Sequence, residues 1–388
     1  MTPKTDYYLI HDLLSEEHRL IQQSTHKWVD KEIIPYIDEA TQKHQPIDGL
    51  FEKLGGIGAL GCYIPEQYGG LGLDQISYGL IMQELERGDS AIRSTASVQS
   101  SLVMYPIYTF GSEEQKTQYL PQLASGKMVG CFGLTEPNHG SNPSGMETRI
   151  IDKGSYYLLN GAKMWITNSP IADIAVVWAK DERGKTRGVI VERGMEGFST
   201  LETLNKWSLR ASQTGELVFE NVKIPKENVL PKVTSLRGPL SCLNSARYGI
   251  SWGVIGAAIH CFETALEYSL QRNQFGKPIA SYQLQQRKLA EFSTEITKAQ
   301  LLSWRLGTLK NEGKATPAQI SMAKRNNVDM ALKIARESRQ ILGAMGIVGD
   351  YPMMRHMMNL ESVITYEGTH DIHLLITGMD LTGISAFE

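Results

Sequence analysis

Cysteine is scarce in this chain. Only Cys62, Cys131, Cys242 and Cys261 occur in 388 residues, and no two form a C-x-x-C pair. That gives neither a zinc ribbon nor a disulfide framework, and reduced thiols in a cytosol-like compartment fit. An excess of one charge is missing too: 39 Lys and Arg face 42 Asp and Glu, a net charge of -3. A general nucleic-acid binder needs a cationic surface, so no nucleic-acid partner is expected. No stretch approaches about 18 uninterrupted apolar residues, so no membrane span is expected. The first twenty residues have neither an apolar signal core nor the acid-poor, Arg-rich character of a transit peptide. The expected location is a bacterial cytoplasm, or a mitochondrial matrix if the chain is a processed form. Repeats and low-complexity segments are lacking. What remains is an ordinary globular composition, 41% hydrophobic and 21% charged. At about 150 residues per domain the chain makes two or three units.

The first third reads as helical. Between Glu16 and Ile34, Leu20, Ile21, Trp28, Val29 and Ile33 recur near a 3.6-residue period, and Pro35 interrupts it. Ile76–Leu85, Leu102–Phe110 and the segment after Glu113 read similarly. Near Val129 the character changes to short β-branched and aromatic runs. Tyr156–Leu159, then Asn160-Gly161, then Lys163–Thr167 predicts a hairpin, because Asn-Gly between apolar runs favours a two-residue turn. Ile174–Ala179, Gly188–Glu192 and Leu217–Phe219 continue the pattern, with a turn at Asp181–Gly184. After Pro239 helix returns. Ile255, Ala258, Ile259, Phe262, Leu266 and Leu270 follow steps of three and four. Thr316, Pro317 and Gln319 predict an N-cap, N1 and N3, for a helix running to about Leu342. The fold class is therefore α+β and multidomain: an N-terminal helical domain (1–128), a middle antiparallel β-sandwich or barrel (129–236) and a C-terminal helical bundle (237–388).

Several motifs invite chemistry. Gly56 to Gly61 matches G-x-G-x-x-G, but a helical segment precedes it and Pro65 follows, so it reads as a turn and not a dinucleotide fingerprint. His370 and His373 could share a helix face, but no third ligand is near, so hydrogen-bonding or core histidines are expected and no metal. Phe132–Pro137 followed by Gly140–Ser144 is dense in Gly, Pro, Ser and Asn. It reads either as a surface loop or as a cradle of N–H groups for a polar ring or phosphate. Glu367 follows the apolar Val363-Ile364. Desolvated there, its pKa would rise toward the range of a general base; otherwise it is a surface Glu in a turn. Gly368 leaves room for a molecule beside the backbone.

Taken together, these segments resemble the acyl-CoA dehydrogenase flavoenzymes over essentially the whole chain. The matching stretches are Cys131–Ser144 (CFGLTEPNHGSNPS), Trp165–Thr167 (WIT), Arg272–Ile279 (RNQFGKPI), Gln340–Ile347 (QILGAMGI) and Tyr366–His373 (YEGTHDIH). The resemblance implies FAD as cofactor and Glu367 as the catalytic base. It also implies flavin contacts from Phe132, Leu134, Thr135, Gly140, Ser141, Trp165, Ile166 and Thr167. Further FAD contacts fall on Arg272, Phe275, Gln283, Gln340, Gly343, Thr369 and Asp371. Substrate contacts fall on Arg93, Ser94, Ser141, Leu240, Asn244, Arg247, Tyr366 and Gly368. A homotetramer and an electron-transferring flavoprotein partner are implied as well. His139 and Asn142 depart from the family's usual loop residues.

Within the family the similarity is greatest to members that act on glutaryl-CoA, through Glu86–Ser90, Arg93-Ser94, Ser97–Ser101 and Cys242–Gly249. A cation deep in an acyl pocket is costly unless paired. Arg93 makes sense if the substrate brings a distal carboxylate, if Glu86 two helical turns upstream satisfies it, or both. The implied reaction is FAD-dependent oxidative decarboxylation of glutaryl-CoA to crotonyl-CoA and CO2. The alternatives are a short-chain acyl-CoA dehydrogenase or a glutaryl-CoA dehydrogenase that keeps the carboxylate.

Overall fold

The computed structural model of the chain describes residues 6–387. Seven helices open it: α1 (Glu16–Glu32), α2 (Ile34–Lys43), α3 (Leu50–Gly56), α4 (Gln75–Gly88), α5 (Ser90–Ser97), α6 (Tyr105–Phe110) and α7 (Glu113–Ala124). Ser15 starts α1 by accepting the His18 N–H, and Pro35 sits in the first turn of α2, where its missing N–H costs nothing. Between α5 and α6 the chain widens into a π-helical stretch, Val98–Met104, so the expected buried helix near Leu102 is not a regular one. Gly56 to Gly61 forms the end of α3 and a turn, with Gly58 and Gly61 both at positive φ.

Seven strands follow: β1 (Gly130–Gly133), β2 (Arg149–Asp152), β3 (Tyr156–Thr167), β4 (Ile174–Lys180), β5 (Thr186–Glu192), β6 (Phe198–Glu202) and β7 (Thr214–Pro225). They make one sheet in the order β1-β4-β2-β3-β7-β6, with β5 also paired to β4. Pairing is antiparallel except for β1 with β4 and a single parallel contact, Arg149 to Lys180, between β2 and β4. The expected hairpin at Asn160-Gly161 is absent. β3 runs straight through it for twelve residues, and the dipeptide sits at a bulge where the register against β7 shifts between Leu159 and Gly161. Asn160 spends its side chain on the Asn221 N–H. Gly161 has φ +141, and a Cβ there would lie 2.7 Å from Thr148 Cα. The Gly is needed for a close approach within a strand, not for a turn.

The C-terminal part holds α8 (Arg237–Gln271), α9 (Gln283–Asn311), α10 (Pro317–Ile341), α11 (Met353–Val363) and α12 (His370–Thr382). Thr316 caps α10 as expected, accepting the Gln319 N–H while Gln319 reaches back to the Thr316 N–H. Helix α8 is long and apolar enough to cross a bilayer, but 78% of its most apolar stretch is buried inside the protein. It is the central core helix. Its Tyr248 and Trp252 pack in one cluster with Tyr78, Met82 and Leu85 of α4, so the first and last groups of helices share a core.

Candidate active site

The turn between α11 and α12 carries Glu367 at φ +54, followed by Gly368 at φ +97. Two successive left-handed residues, one of them not glycine, need outside support. Buried cations supply it. Arg247 Nε, from α8, donates to the Glu367 carbonyl at 2.7 Å. Lys324 Nζ, from α10, donates to the Tyr366 carbonyl at 2.9 Å and the Gly368 carbonyl at 2.8 Å. A Cβ on Gly368 would come within 3.1 Å of the His373 ring and 3.2 Å of Arg247 Nη2. Glycine is required here for both φ and space.

Glu367 is half-buried, and its Oε2 is shut off from solvent without a hydrogen bond. Burial raises its pKa above the ordinary carboxylate value, while Arg93, Lys324 and Arg247 pull it back. A carboxylate with its pKa raised in this way has the chemistry that a general base needs.

Arg93 is fully buried on α5, in the same neighbourhood. Its Nη2 donates to the Tyr366 hydroxyl at 2.6 Å and its Nε to Glu86 Oε2 at 2.5 Å. Burial opposes the charge, but Glu86 and Tyr366 outweigh it and hold the guanidinium protonated. The pair does not lie along one helix as its spacing implied. Glu86 ends α4, Arg93 is on α5, and Asp89 breaks the chain between them while capping α5 through the Ala91 N–H. Glu86 Oε1 has no hydrogen-bond partner. Ser94, one residue on, is also buried.

The Gly-rich loop leaves the sheet after β1, and its Phe132 and Leu134 share a core cluster with Cys242 and Ala246 of α8. Phe132 and Leu134 are buried, Thr135 is half-buried, and Gly140 and Ser141 are exposed. A buried ion pair shapes the loop: Lys163 Nζ donates to Glu136 Oε1 at 2.8 Å and to the Leu134 carbonyl at 3.1 Å. Glu136 also accepts the Glu147 and Thr148 N–H groups, and this holds its carboxyl down at about 2 although burial alone would raise it. His139 and Glu147 lie close by, but the Glu136 oxygens already accept from these three donors and offer less to a metal. On β3, Ile166 is buried and Thr167 pairs with Thr214, while Trp165 stands out at φ +61 and 58% exposed. An indole projecting from a strand bulge beside the loop, where the Met164 N–H donates to the Thr135 carbonyl, suits a flat polar ring.

A second region gathers the remaining candidates. Arg272, Phe275, Gln283 and Gly343 line one open cleft of about 920 Å³. Phe275 sits at φ +51 on a hairpin tip, 94% exposed. Gln340 does not line this cleft; its side-chain carbonyl is bound by Lys288. Thr369 caps α12 by accepting the Ile372 N–H at 3.3 Å, and Asp371 is exposed in the first turn. Leu240, Asn244 and Arg247 follow one another on the first turns of α8, with Arg247 Nη1 donating to Asn244 Oδ1 at 3.2 Å. An exposed aromatic, an Arg and amides around an open cleft are a donor set that fits a dinucleotide such as FAD.

Lys324 escaped the sequence reading. The signal was there: it falls on the buried face of α10, in step with Ile320, Asn327 and Ala331, where a lone Lys demands a partner. His373 is buried, and neither of its ring nitrogens has a hydrogen-bond partner.

The comparisons with known proteins agree with this geometry. Family models for the acyl-CoA dehydrogenase N-terminal, middle and C-terminal domains match residues 15–127, 131–222 and 237–382. The chain is similar to a glutaryl-CoA dehydrogenase from Mycobacterium smegmatis in complex with FADH2, at 45% identity and a TM-score of 0.98 with 100% of both chains covered. It is 35% identical over 381 residues to the glutaryl-CoA dehydrogenase of Desulfococcus multivorans, covering 96% of this chain and 98% of that one. The butyryl-CoA dehydrogenase of Megasphaera elsdenii matches with a TM-score of 0.91 and 35% identity, over 95% of this chain and 98% of the other. With matches running through all three parts, the chain belongs to the acyl-CoA dehydrogenase family.

Proposed function

We propose that this protein is an FAD-dependent acyl-CoA dehydrogenase whose substrate is glutaryl-CoA, and that it releases crotonyl-CoA and CO2. One observation carries the choice of substrate: the fully buried Arg93, joined through the Tyr366 hydroxyl to the turn that bears Glu367. A distal carboxylate would complete the coordination of this cation, while a plain acyl chain gives it nothing. FAD, when bound, supplies the acceptor for the β-hydride. Phe132 to Ser141, with Trp165 to Thr167, would hold its ring; Arg272, Phe275, Gln283 and Gly343 would hold its remaining portion. The proposed contacts of Gln340, Thr369 and Asp371 rest on resemblance.

The residues then divide the work. Glu367 takes the α-proton, the step for which burial raises its basicity. Leu240, Asn244 and Arg247 line the thioester path, with Ser141 and Gly368. Arg93 and Ser94 hold the far carboxylate. Loss of that carboxylate as CO2 leaves a dienolate, and protonated Glu367 returns a proton to its γ-carbon. An electron-transferring flavoprotein is the proposed acceptor of the electrons. A homotetramer is proposed too, supported by exposed Phe275, Leu374, Leu381 and Ile384. The four free, buried cysteines fit a reducing cytoplasm. Domain limits are proposed at 128/129 and 236/237.

The test is anaerobic mixing of the FAD-loaded protein with glutaryl-CoA and butyryl-CoA, following flavin bleaching and product mass together. Equal CO2 and bleached flavin with glutaryl-CoA is the expected result. Bleaching without CO2 would mean a dehydrogenase that keeps the carboxylate. In the double variant Glu86→Gln, Arg93→Met, glutaryl-CoA turnover should fall by about 100-fold or more. Butyryl-CoA turnover should survive; equal losses would remove the carboxylate anchor.

A further inference from the structure

The turn that bears Glu367, residues 364–369, belongs to neither flanking helix. Its backbone is left-handed at Glu367 and Gly368. The carbonyls of Tyr366, Glu367 and Gly368 each accept from a side-chain cation, the first and third from the same atom, Lys324 Nζ. Lys324 is fully buried in the middle of α10, and among the described residues it forms no ion pair within bonding distance. Burial pushes its ammonium down to about 7. The charge it faces is the Glu367 carboxylate, with Arg247 of α8 and Arg93 of α5 opposing it and His370 and His373 of α12 alongside. The Glu367 carboxylate has an unbonded oxygen, so its own contacts do not fix it. Its place is set through the backbone beneath it.

We propose that Lys324 is a positioning residue for the base: by clamping the Tyr366 and Gly368 carbonyls it keeps Glu367 in its left-handed conformation, so that the carboxylate meets the substrate's α-carbon. The inference deepens the proposed function and rests on it. An ångström of misplacement at a reacting group can cost about 100-fold in rate. The same ammonium, 43 residues away in sequence, also lowers the basicity of Glu367.

Two variants test it in the full-length, FAD-loaded protein. Lys324→Met removes both donors and the charge. Lys324→Gln removes the charge and keeps a donor, and it carries the test if the Met variant fails to fold. The expected result has three parts. Flavin reduction by the acyl-CoA slows about 100-fold in the Met variant while KM stays within about threefold. The pH limb assigned to Glu367 moves up in both variants, because a cation that lowered it is gone. Amides 364–369 exchange hydrogen faster, with or without FAD. A structural role alone would lower FAD content and thermal midpoint and leave the limb in place; that result, or wild-type rates in both variants, overturns the inference. If the unaltered protein oxidises no acyl-CoA at all, the proposed function fails, and exchange in the turn still decides whether Lys324 clamps it.

Discussion

At the scale of a residue, Glu367 is defined by what surrounds it more than by what it is. A glutamate is an ordinary surface group at neutral pH. Half-buried, with one oxygen unbonded, it is raised above 4.5, although Arg93, Lys324 and Arg247 limit the rise. The sign of the pH dependence follows. A base works only when deprotonated, so flavin reduction should climb as pH passes upward through the raised value, with its midpoint above 4.5. Glu367→Gln should keep the fold and bound FAD yet reduce flavin about 1,000-fold more slowly. Stopped-flow absorbance against pH checks both, and a near wild-type rate in the Gln variant removes Glu367 as the base. Much of this site was readable. The apolar Val363-Ile364 before Tyr366-Glu367-Gly368 foretells a desolvated carboxylate beside an open backbone. Lys324 and Arg247 were harder, because their meeting at three adjacent carbonyls comes from three-dimensional packing of α8 and α10 against the turn. Spacing marks Lys324 as a lysine on the buried face of α10 but does not say which carbonyls it meets.

At the scale of an element, the strand that bears Trp165 repays attention. Thr316-Pro317 with Gln319 was legible as a helix start because capping is local: three residues contain the whole interaction. Asn160-Gly161 misled for the opposite reason. The dipeptide satisfies a hairpin locally, but β3 is paired on both edges, with β2 from Arg149 to Asp152 and with β7 along most of its length. Two partners outweigh the turn preference of two residues. The glycine then serves a different need, the close approach of Thr148 at the end of the Gly-rich loop segment. Gly161→Ala places a Cβ about 2.7 Å from Thr148 Cα and keeps an unfavourable φ. It should cost about 1–3 kcal/mol. Because Thr148 also donates to Glu136, the shift should pass into the loop and weaken FAD retention. Chemical denaturation and FAD content after gel filtration measure the two effects. Loss of stability with no loss of FAD would show that β3 and the loop are mechanically separate.

At the scale of the whole molecule, the question is what joins the first helices to the last. The sheet lies between them in sequence, but the core does not. Helices α4 and α8 pack directly, and Arg355 of α11 adds a buried pair to Asp89 at the start of α5, at 2.7 Å. Asn359 of α11 binds Asp89 as well and accepts the Leu209 N–H from the loop before β7, so one helix ties all three parts. Glu86 and Arg93 hang from this junction, and its geometry therefore sets where their buried ion pair lies. Gly256 of α8 is where the two helices come closest: a Cβ there would press on the Gln83 carbonyl and lie 2.8 Å from the Arg87 nitrogen, both backbone atoms of α4. Neither can move without the helix. Gly256→Ala should therefore drop the thermal midpoint by several degrees, or prevent folding. Gly378→Ala is the control. It too lies inside a helix, α12, but nothing stands within 4 Å of its added Cβ. Within one chain the substitution removes glycine's conformational cost and meets nothing, and the protein should gain up to about 1 kcal/mol. The same chemical change thus takes opposite signs at two sites, decided by whether backbone or open space faces the new methyl group. Calorimetry of both variants reads the difference, and a Gly256→Ala protein as stable as the unaltered one would mean that α4 and α8 are free to separate.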